Sequence, residues 1–182
     1  MTCIVGLKHN GHVYMGCDSM VTDGWGWDIL PEHAKKLFRV GELLIGGTGI
    51  WKMCQLVQFR LDINEQTQSQ SDFEYMSVIV AEGIRVLLKD AGCAKIENSQ
   101  EDSEGEFLVA YRGELYHIDS VYAVRPLSRA FGAVGSGKGQ AIGALAILVD
   151  SNMSPKKTLR RALAVSAQFA QGVSSPFHVM KL

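Results

Sequence analysis

The sequence predicts an α+β domain built from antiparallel hairpins and pairs of helices. Three observations carry this. Apolar, β-rich runs flank glycine-containing turns, most clearly Asn10-Gly11 and Arg112-Gly113, and Asn-Gly is a strong hairpin signal. Apolar stripes at helical spacing come in two pairs. The order along the chain is strands, helices, strands, helices, strand. That order fits two antiparallel sheets with helix pairs outside, a four-layer α/β/β/α sandwich. A simpler two-layer α+β domain accommodates the same elements, and periodicity does not choose between them.

The elements follow in turn. Runs 4–7 and 13–17 form the first hairpin around Asn10-Gly11, and 35–40 with 42–46 form a second. Residues 23–31, rich in Gly and Trp, read as a loop. Trp51, Cys54, Leu56, Val57 and Leu61 place a helix over 50–64. The polar stretch 65–71 connects it to a second helix, with Asp72 as its cap, Met76, Ile79, Val80, Ile84, Leu87 and Leu88 as its stripe, and Gly92 as its stop. The acidic stretch 97–105 reads as a solvated loop. Runs 106–111 and 114–119 pair about Arg112-Gly113, followed by extended 121–124. A strand over 130–134 ends in Gly135-Ser136-Gly137, and 139–149 is a small-residue helix. Ser154 and Pro155 start a helix reaching about 171, and 177–182 is a last strand.

Composition sets bounds. The chain has 182 residues, so one domain spanning 1–182 is expected. A net charge of −1 leaves no basic footprint for nucleic acid. The four cysteines, Cys3, Cys17, Cys54 and Cys93, form no CxxC pair, so buried reduced thiols are expected rather than a zinc site or disulfides. No signal-peptide layout opens the chain, and no apolar run is long enough for a bilayer. A cytoplasmic protein without membrane contact is expected, and nothing calls for a metal or cofactor.

The second residue is the most telling. Methionine aminopeptidases remove Met1 when a small residue follows, so the mature chain is expected to begin at Thr2. An N-terminal Thr carries a hydroxyl nucleophile and a free amine. That amine's ordinary pKa is about 7.7–8.0, suited to a general base near neutral pH. The pair is a known way to activate a hydroxyl.

Several segments then resemble one family in order. The opening Thr2-Cys3-Ile4-Val5-Gly6-Leu7-Lys8, the strand end Gly16-Cys17-Asp18-Ser19, and Val21-Thr22-Asp23-Gly24 are similar to proteasome β-subunits and more closely to HslV-type peptidases, both N-terminal-nucleophile (Ntn) hydrolases. So are Lys35-Lys36-Leu37, Gly47-Thr48-Gly49 and Ala133-Val134-Gly135-Ser136-Gly137. The absence of a carboxylate in Ala170-Gln171-Gly172-Val173-Ser174-Ser175 favours the HslV side. The resemblance implies the four-layer sandwich and a threonine endopeptidase. It implies Thr2 as nucleophile, Asp18 and Lys36 as its charged support, Ser136 as a partner of the amine, and Gly49 as the oxyanion amide, with Gly47 the fallback. It implies Thr22 as the backbone partner of substrate, and Val21, Ala34 and Gly47 as the first specificity pocket. It also implies a ring-shaped homo-oligomer, a peptide or unfolded-protein substrate and an unfoldase ATPase partner.

The residue types suit the chemistry. A nearby Lys36 ammonium disfavours a second positive charge and lowers the Thr2 amine's pKa. Asp18 holds Lys36 in place. Lys36→Ala is expected to abolish cleavage with the fold intact, and Lys35→Ala to matter little. A roomy apolar pocket, lined by small side chains and without charge, favours Leu, Phe or Tyr before the cut, and Gly47→Met is expected to narrow it. The loop 24–28 is longer than the family's and holds Trp25 and Trp27.

Two other readings compete. Gly132-Ala133-Val134-Gly135-Ser136-Gly137-Lys138-Gly139 nearly spells a phosphate-binding P-loop, but Gly139 replaces the hydroxyl that holds magnesium. A ring subunit of this fold without cleavage activity is the other. The intact mass of the purified protein is expected to match a chain starting at Thr2; retention of Met1 would leave Thr2 without a free amine.

Overall fold

The computed structural model describes residues 1–22, 25–97 and 99–182. Asp23 and Gly24 of the Val21-Thr22-Asp23-Gly24 motif lie outside the described residues, as does Asn98.

The first hairpin forms as its turn predicts. β1 (Cys3–His9) and β2 (His12–Cys17) pair antiparallel from Ile4↔Cys17 to His9↔His12. Asn10 and Gly11 both take positive φ, 50° and 74°, as a two-residue type I′ turn requires. A short hairpin follows, β3 (Met20–Thr22) with β4 (Trp27–Ile29), whose second strand lies inside the stretch read as loop. Lys35 and Lys36 precede the next strand rather than starting it. The hairpin itself is β5 (Leu37–Val40) with β6 (Leu43–Gly47).

Helix α1 (Trp51–Arg60) stops short of residue 64, because Leu61 turns extended. Ser71, not Asp72, caps the next helix: its Oγ accepts the Glu74 N–H at 3.2 Å. α2 (Asp72–Glu74) runs through a π-helical stretch (Tyr75–Val80) into α3 (Ala81–Asp90). The expected loop 97–105 overlaps a small hairpin, β7 (Lys95–Glu97) with β8 (Gln100–Asp102). Its Glu101 is held by Arg85 and Lys89 of α3 at 2.6 and 2.5 Å. Charge that reads as solvation in sequence is here anchored to a helix.

β9 (Phe107–Tyr111) and β10 (Glu114–Ile118) pair about the Arg112-Gly113 turn, and β11 (Val124–Pro126) follows. The extended run starts only at Val124, because Asp119 Oδ1 accepts the N–H groups of Val121 and Ala123 and holds a turn. Then come β12 (Phe131–Gly135), α4 (Lys138–Leu148), α5 (Pro155–Phe169) and β13 (His178–Lys181). Ser154 makes no side-chain cap bond, and Pro155 begins α5.

Among the described residues, one antiparallel sheet has the order β12-β1-β2-β13 and another β11-β10-β9-β6-β5. The mixed architecture with two antiparallel sheets is as expected. Alternate residues of β1 serve different clusters, as period two demands. Cys3, Val5 and Leu7 pack with Ala141, Leu145, Leu159 and Leu163 of α4 and α5. Ile4 packs with Met15, Cys17, Leu44, Leu108 and Leu115, joining residues of both sheets. A third cluster sets Ile45, Phe107 and Val109 against Met53, Val57, Ile84 and Leu88. Among the described residues no helix is long and apolar enough to cross a membrane.

The approach of the two sheets is close enough to exclude a side chain. A Cβ at Gly46 would lie 2.4 Å from Ile4 Cγ2. Gly46→Ala is therefore expected to cost about 1–3 kcal/mol and lower Tm. Gly143, exposed on α4, meets nothing within 4 Å, so Gly143→Ala is expected to gain about 0.5–1 kcal/mol. Thermal melts of the two variants should shift in opposite directions.

Candidate active site

Thr2 lies just before β1 and is clasped by the turn after β12. Its N–H donates to Ser136 Oγ at 3.1 Å, and its carbonyl accepts from Ser136 Oγ at 3.2 Å and from the Gly137 N–H at 3.3 Å. Gly135 has φ 93°, and a Cβ there would fall 2.4 Å from the Thr2 carbonyl oxygen. Glycine is required by both criteria. The P-loop reading fails at this point. Ser136 Oγ and the Gly137 amide are turned onto Thr2, and Lys138 Nζ pairs with Glu106 at 2.9 Å. The 132–139 stretch holds the N-terminal strand, not a cradle for phosphate.

Asp18 and Lys36 meet beneath Thr2. Lys36 is 2% exposed and Asp18 0%. Lys36 Nζ lies 2.9 and 3.0 Å from the two carboxylate oxygens. Asp18 also accepts the N–H groups of Cys3 and Met20 at 2.9 and 3.0 Å. The ammonium further donates to the carbonyls of Met20 and Met1, the latter at 3.3 Å. Thr2 Oγ1 donates to that same Met1 carbonyl at 2.5 Å. One oxygen thus receives both the hydroxyl of Thr2 and the ammonium of Lys36. Lys35 instead pairs with Glu32 at 3.2 Å.

The electrostatics follow from burial. The Met1 amine is pushed below its ordinary value, first by burial and then by the Lys36 charge, against an opposing pull from Asp18. Burial drives the Cys3, Cys17 and Cys54 thiols up to about 12, so they are neutral. All four cysteines are free. Burial tends to raise the Glu106 carboxyl, but Lys138 and His117 outweigh it and hold it low.

Two depressions flank Thr2. One, of about 340 Å³, is lined by Thr2, Val21, Thr22, Lys36, Gly47 and Gly49, with Ile50, Trp51 and Cys54. Ala34 does not line it; this residue sits in a turn where its N–H donates to the Pro31 carbonyl at 3.0 Å. Gly47 is at the wall, but a Cβ there would lie 2.8 Å from Cys54 Sγ and 3.0 Å from the Phe107 ring. A Met at 47 would strain the core rather than simply narrow the pocket. Gly49 has φ 88°, and a Cβ on it would crowd Gly105. The other depression, of about 450 Å³, brings Thr2, Gly49 and Ser136 together with Asp102, Glu106 and Lys138.

No protein-family model and no curated protein matches the chain. Solved structures do. BPH from Thiobacillus denitrificans, in complex with epoxomicin, aligns over 99% of this chain and 97% of its own at a TM-score of 0.82 and 19% identity. HslV from Trypanosoma brucei aligns over 99% and 98% at 0.68 and 17%. Anbu from Yersinia bercovieri aligns over 99% and 81% at 0.70 and 13%. The chain has the proteasome-type Ntn-hydrolase fold.

Within this Ntn-hydrolase fold, two positioning residues escaped the sequence reading. Ser166 is fully buried on α5, with Oγ 3.1 Å from the Gly137 carbonyl, and so braces the turn that clasps Thr2. Its signal is a hydroxyl on the apolar stripe of a helix, where a partner is obligatory. Thr48 Oγ1 donates to the Glu106 carbonyl at 3.0 Å and accepts its N–H at 2.8 Å, tying the Gly47-Thr48-Gly49 turn to the start of β9.

The burial of Lys36 revises one expectation. Lys36→Ala would leave the Asp18 carboxylate buried without its cation, which costs about 3–5 kcal/mol, so the fold is not spared. Asp18→Asn/Lys36→Met, which removes both charges, is expected to recover part of that loss. Urea denaturation of the single and double variants checks this, with the double variant having the higher midpoint.

Proposed function

We propose that this chain is a threonine-type peptidase in which the Thr2 hydroxyl, freed by removal of Met1, attacks the peptide carbonyl. The observation that carries the reading is the Met1 carbonyl oxygen, which touches both Thr2 Oγ1 and Lys36 Nζ. Loss of Met1 leaves the hydroxyl, a new amine and a buried ammonium facing one vacated position. The amine stays 3.1 Å from Ser136 Oγ if Thr2 keeps its place. Burial and the Lys36 charge, which already lower the Met1 amine, act on the Thr2 amine in the same direction. Both favour the unprotonated amine, the form that takes the hydroxyl proton.

The oxygen attacks the carbonyl carbon and the Gly49 amide receives the oxyanion, a donor worth about 2.7–4 kcal/mol in such sites. The proton passes from the amine to the leaving nitrogen. Water then releases the acyl group and restores Thr2. Asp18 orients Lys36 and Ser136 orients the amine; both are positioning residues. Val21, Gly47, Ile50 and Cys54 offer an apolar wall to the side chain before the cut, which favours Leu, Phe or Tyr. Thr22 is the backbone partner of substrate. In this reading the two sheets and their helices form the four-layer α/β/β/α sandwich of a single domain, and the protein works in the cytoplasm as a ring-shaped homo-oligomer served by an unfoldase ATPase. The helical assembly of Anbu from Pseudomonas aeruginosa, 18% identical at a TM-score of 0.66, supports self-association.

Epoxomicin, the compound in the BPH complex, is expected to label Thr2 of the processed protein, read by peptide mass mapping. The cleavage rate is expected to rise with pH through the amine's titration, with its midpoint below the ordinary 7.7–8.0. Asp18→Asn/Lys36→Met is expected to lose cleavage by at least about a hundredfold. A processed, folded protein with unlabelled Thr2 would make this a subunit without cleavage activity.

A further inference from the structure

Glu106 stands between the two turns that flank Thr2. Its carboxylate takes Lys138 Nζ on both oxygens, at 2.9 and 3.3 Å, and the backbone N–H of Gly135 donates to the same group. Gly135 and Lys138 bracket Ser136 and Gly137, the two residues that hold Thr2. The carboxylate thus grips that turn at both ends. The backbone of Glu106 grips the other turn. Its carbonyl accepts the Thr48 N–H at 2.9 Å and Thr48 Oγ1 at 3.0 Å, and its N–H donates to Thr48 Oγ1 at 2.8 Å. Thr48 lies between Gly47 and Gly49. The two turns also approach each other: a Cβ at Gly135 would lie 3.1 Å from Thr48 Cγ2. Glu106 lines the depression shared by Thr2, Gly49 and Ser136.

We infer that Glu106 is a positioning residue that sets the distance between Thr2, with its hydroxyl and amine, and the Gly49 amide. The inference rests on the peptidase reading for what those groups do, but not for the coupling of the two turns. Attack needs the hydroxyl within about 3–3.5 Å of the carbonyl carbon while the oxyanion meets its donor, and a misplacement of about 1 Å costs about a hundredfold. The two groups belong to different sheets: Thr2 precedes β1, and Gly49 follows β6. Apolar packing between sheets has no direction. Hydrogen bonds do, and Glu106 makes them to both sides. The Lys138 side chain is 49% exposed, so the charge of the pair contributes little. The oxygen that accepts the Gly135 N–H carries the role, because a backbone amide cannot shift without its turn. Gln keeps such an acceptor at the same reach, and Asp, one methylene shorter, keeps the charge but not the reach.

The test compares Glu106→Ala, Glu106→Asp and Glu106→Gln in the processed full chain. Backbone hydrogen exchange, read by mass spectrometry, follows the coupling without reference to cleavage. Glu106→Ala and Glu106→Asp are expected to exchange about tenfold faster over 135–138 and over 47–49, with the β9–β10 hairpin unchanged. Glu106→Gln is expected to stay within about threefold of the unaltered protein. On a fluorogenic peptide with Leu before the cut, kcat is expected to fall about tenfold to a hundredfold in Glu106→Ala and Glu106→Asp, while KM changes by less than about twofold. Glu106→Gln should again stay near the unaltered protein. Exchange unchanged in Glu106→Ala, faster exchange confined to one turn, a Gln variant as impaired as the Ala variant, or a loss that falls on KM with kcat unchanged would overturn the inference. The outcome is separable from the peptidase reading: labelled Thr2 with both turns unmoved in Glu106→Ala defeats only the positioning role, and unlabelled Thr2 with both turns loosened defeats only the peptidase.

Discussion

Lys36 and Asp18 meet 2.9 Å apart at a place that water does not reach. Ions so placed cost several kcal/mol each to desolvate, and only dense hydrogen bonding offsets this. The carboxylate finds it in the Cys3 and Met20 amides, and the ammonium in two carbonyls. The pair and its partners come from the N-terminal segment, the end of β2 with the residues that follow it, and the segment before β5 that carries Lys36. The pair therefore cannot form until three parts of the chain are in register. Its position fixes the start of β1, and with it Thr2.

The second constraint is steric. Gly135 lets the turn after β12 approach the Thr2 carbonyl, and Gly46 lets β6 approach Ile4. Both are places where a methyl group would have no room. The clasp around Thr2 and the contact between the two sheets are thus parts of one packing problem. Ser166 closes it from behind by tying α5 to the same turn. A hydroxyl on a helix core stripe, a glycine turn and a buried ion pair together hold Thr2 in one place.

Legibility in the sequence followed the range of the interaction. The Asn10-Gly11 and Arg112-Gly113 hairpins were legible because two adjacent residues set the turn. The strands and helices of the large hydrophobic stripes were legible because the period is local. The β7–β8 hairpin was not, because its Glu101 depends on Arg85 and Lys89 of a preceding helix. Thr2, Asp18, Lys36, Ser136 and Gly49 were named in order along the chain, and they do converge. Ala34 was placed at the pocket by analogy of position, but its turn leaves it outside, and Ile50, Trp51 and Cys54 from α1 and its approach line the cavity.

The sequence by itself determined the α+β class, the main hairpins, the glycines and the candidate set around Thr2. Each of these is written in turn chemistry, residue period or motif order, and each needs only neighbours in the chain. Tertiary structure alone decided that Lys36 is buried rather than a solvated strand end, that Gly135-Ser136-Gly137 grips Thr2 rather than a phosphate, and that Glu106 reaches both turns around Thr2. These depend on which distant segments come to lie together, and desolvation and excluded volume set that only once both sheets have packed.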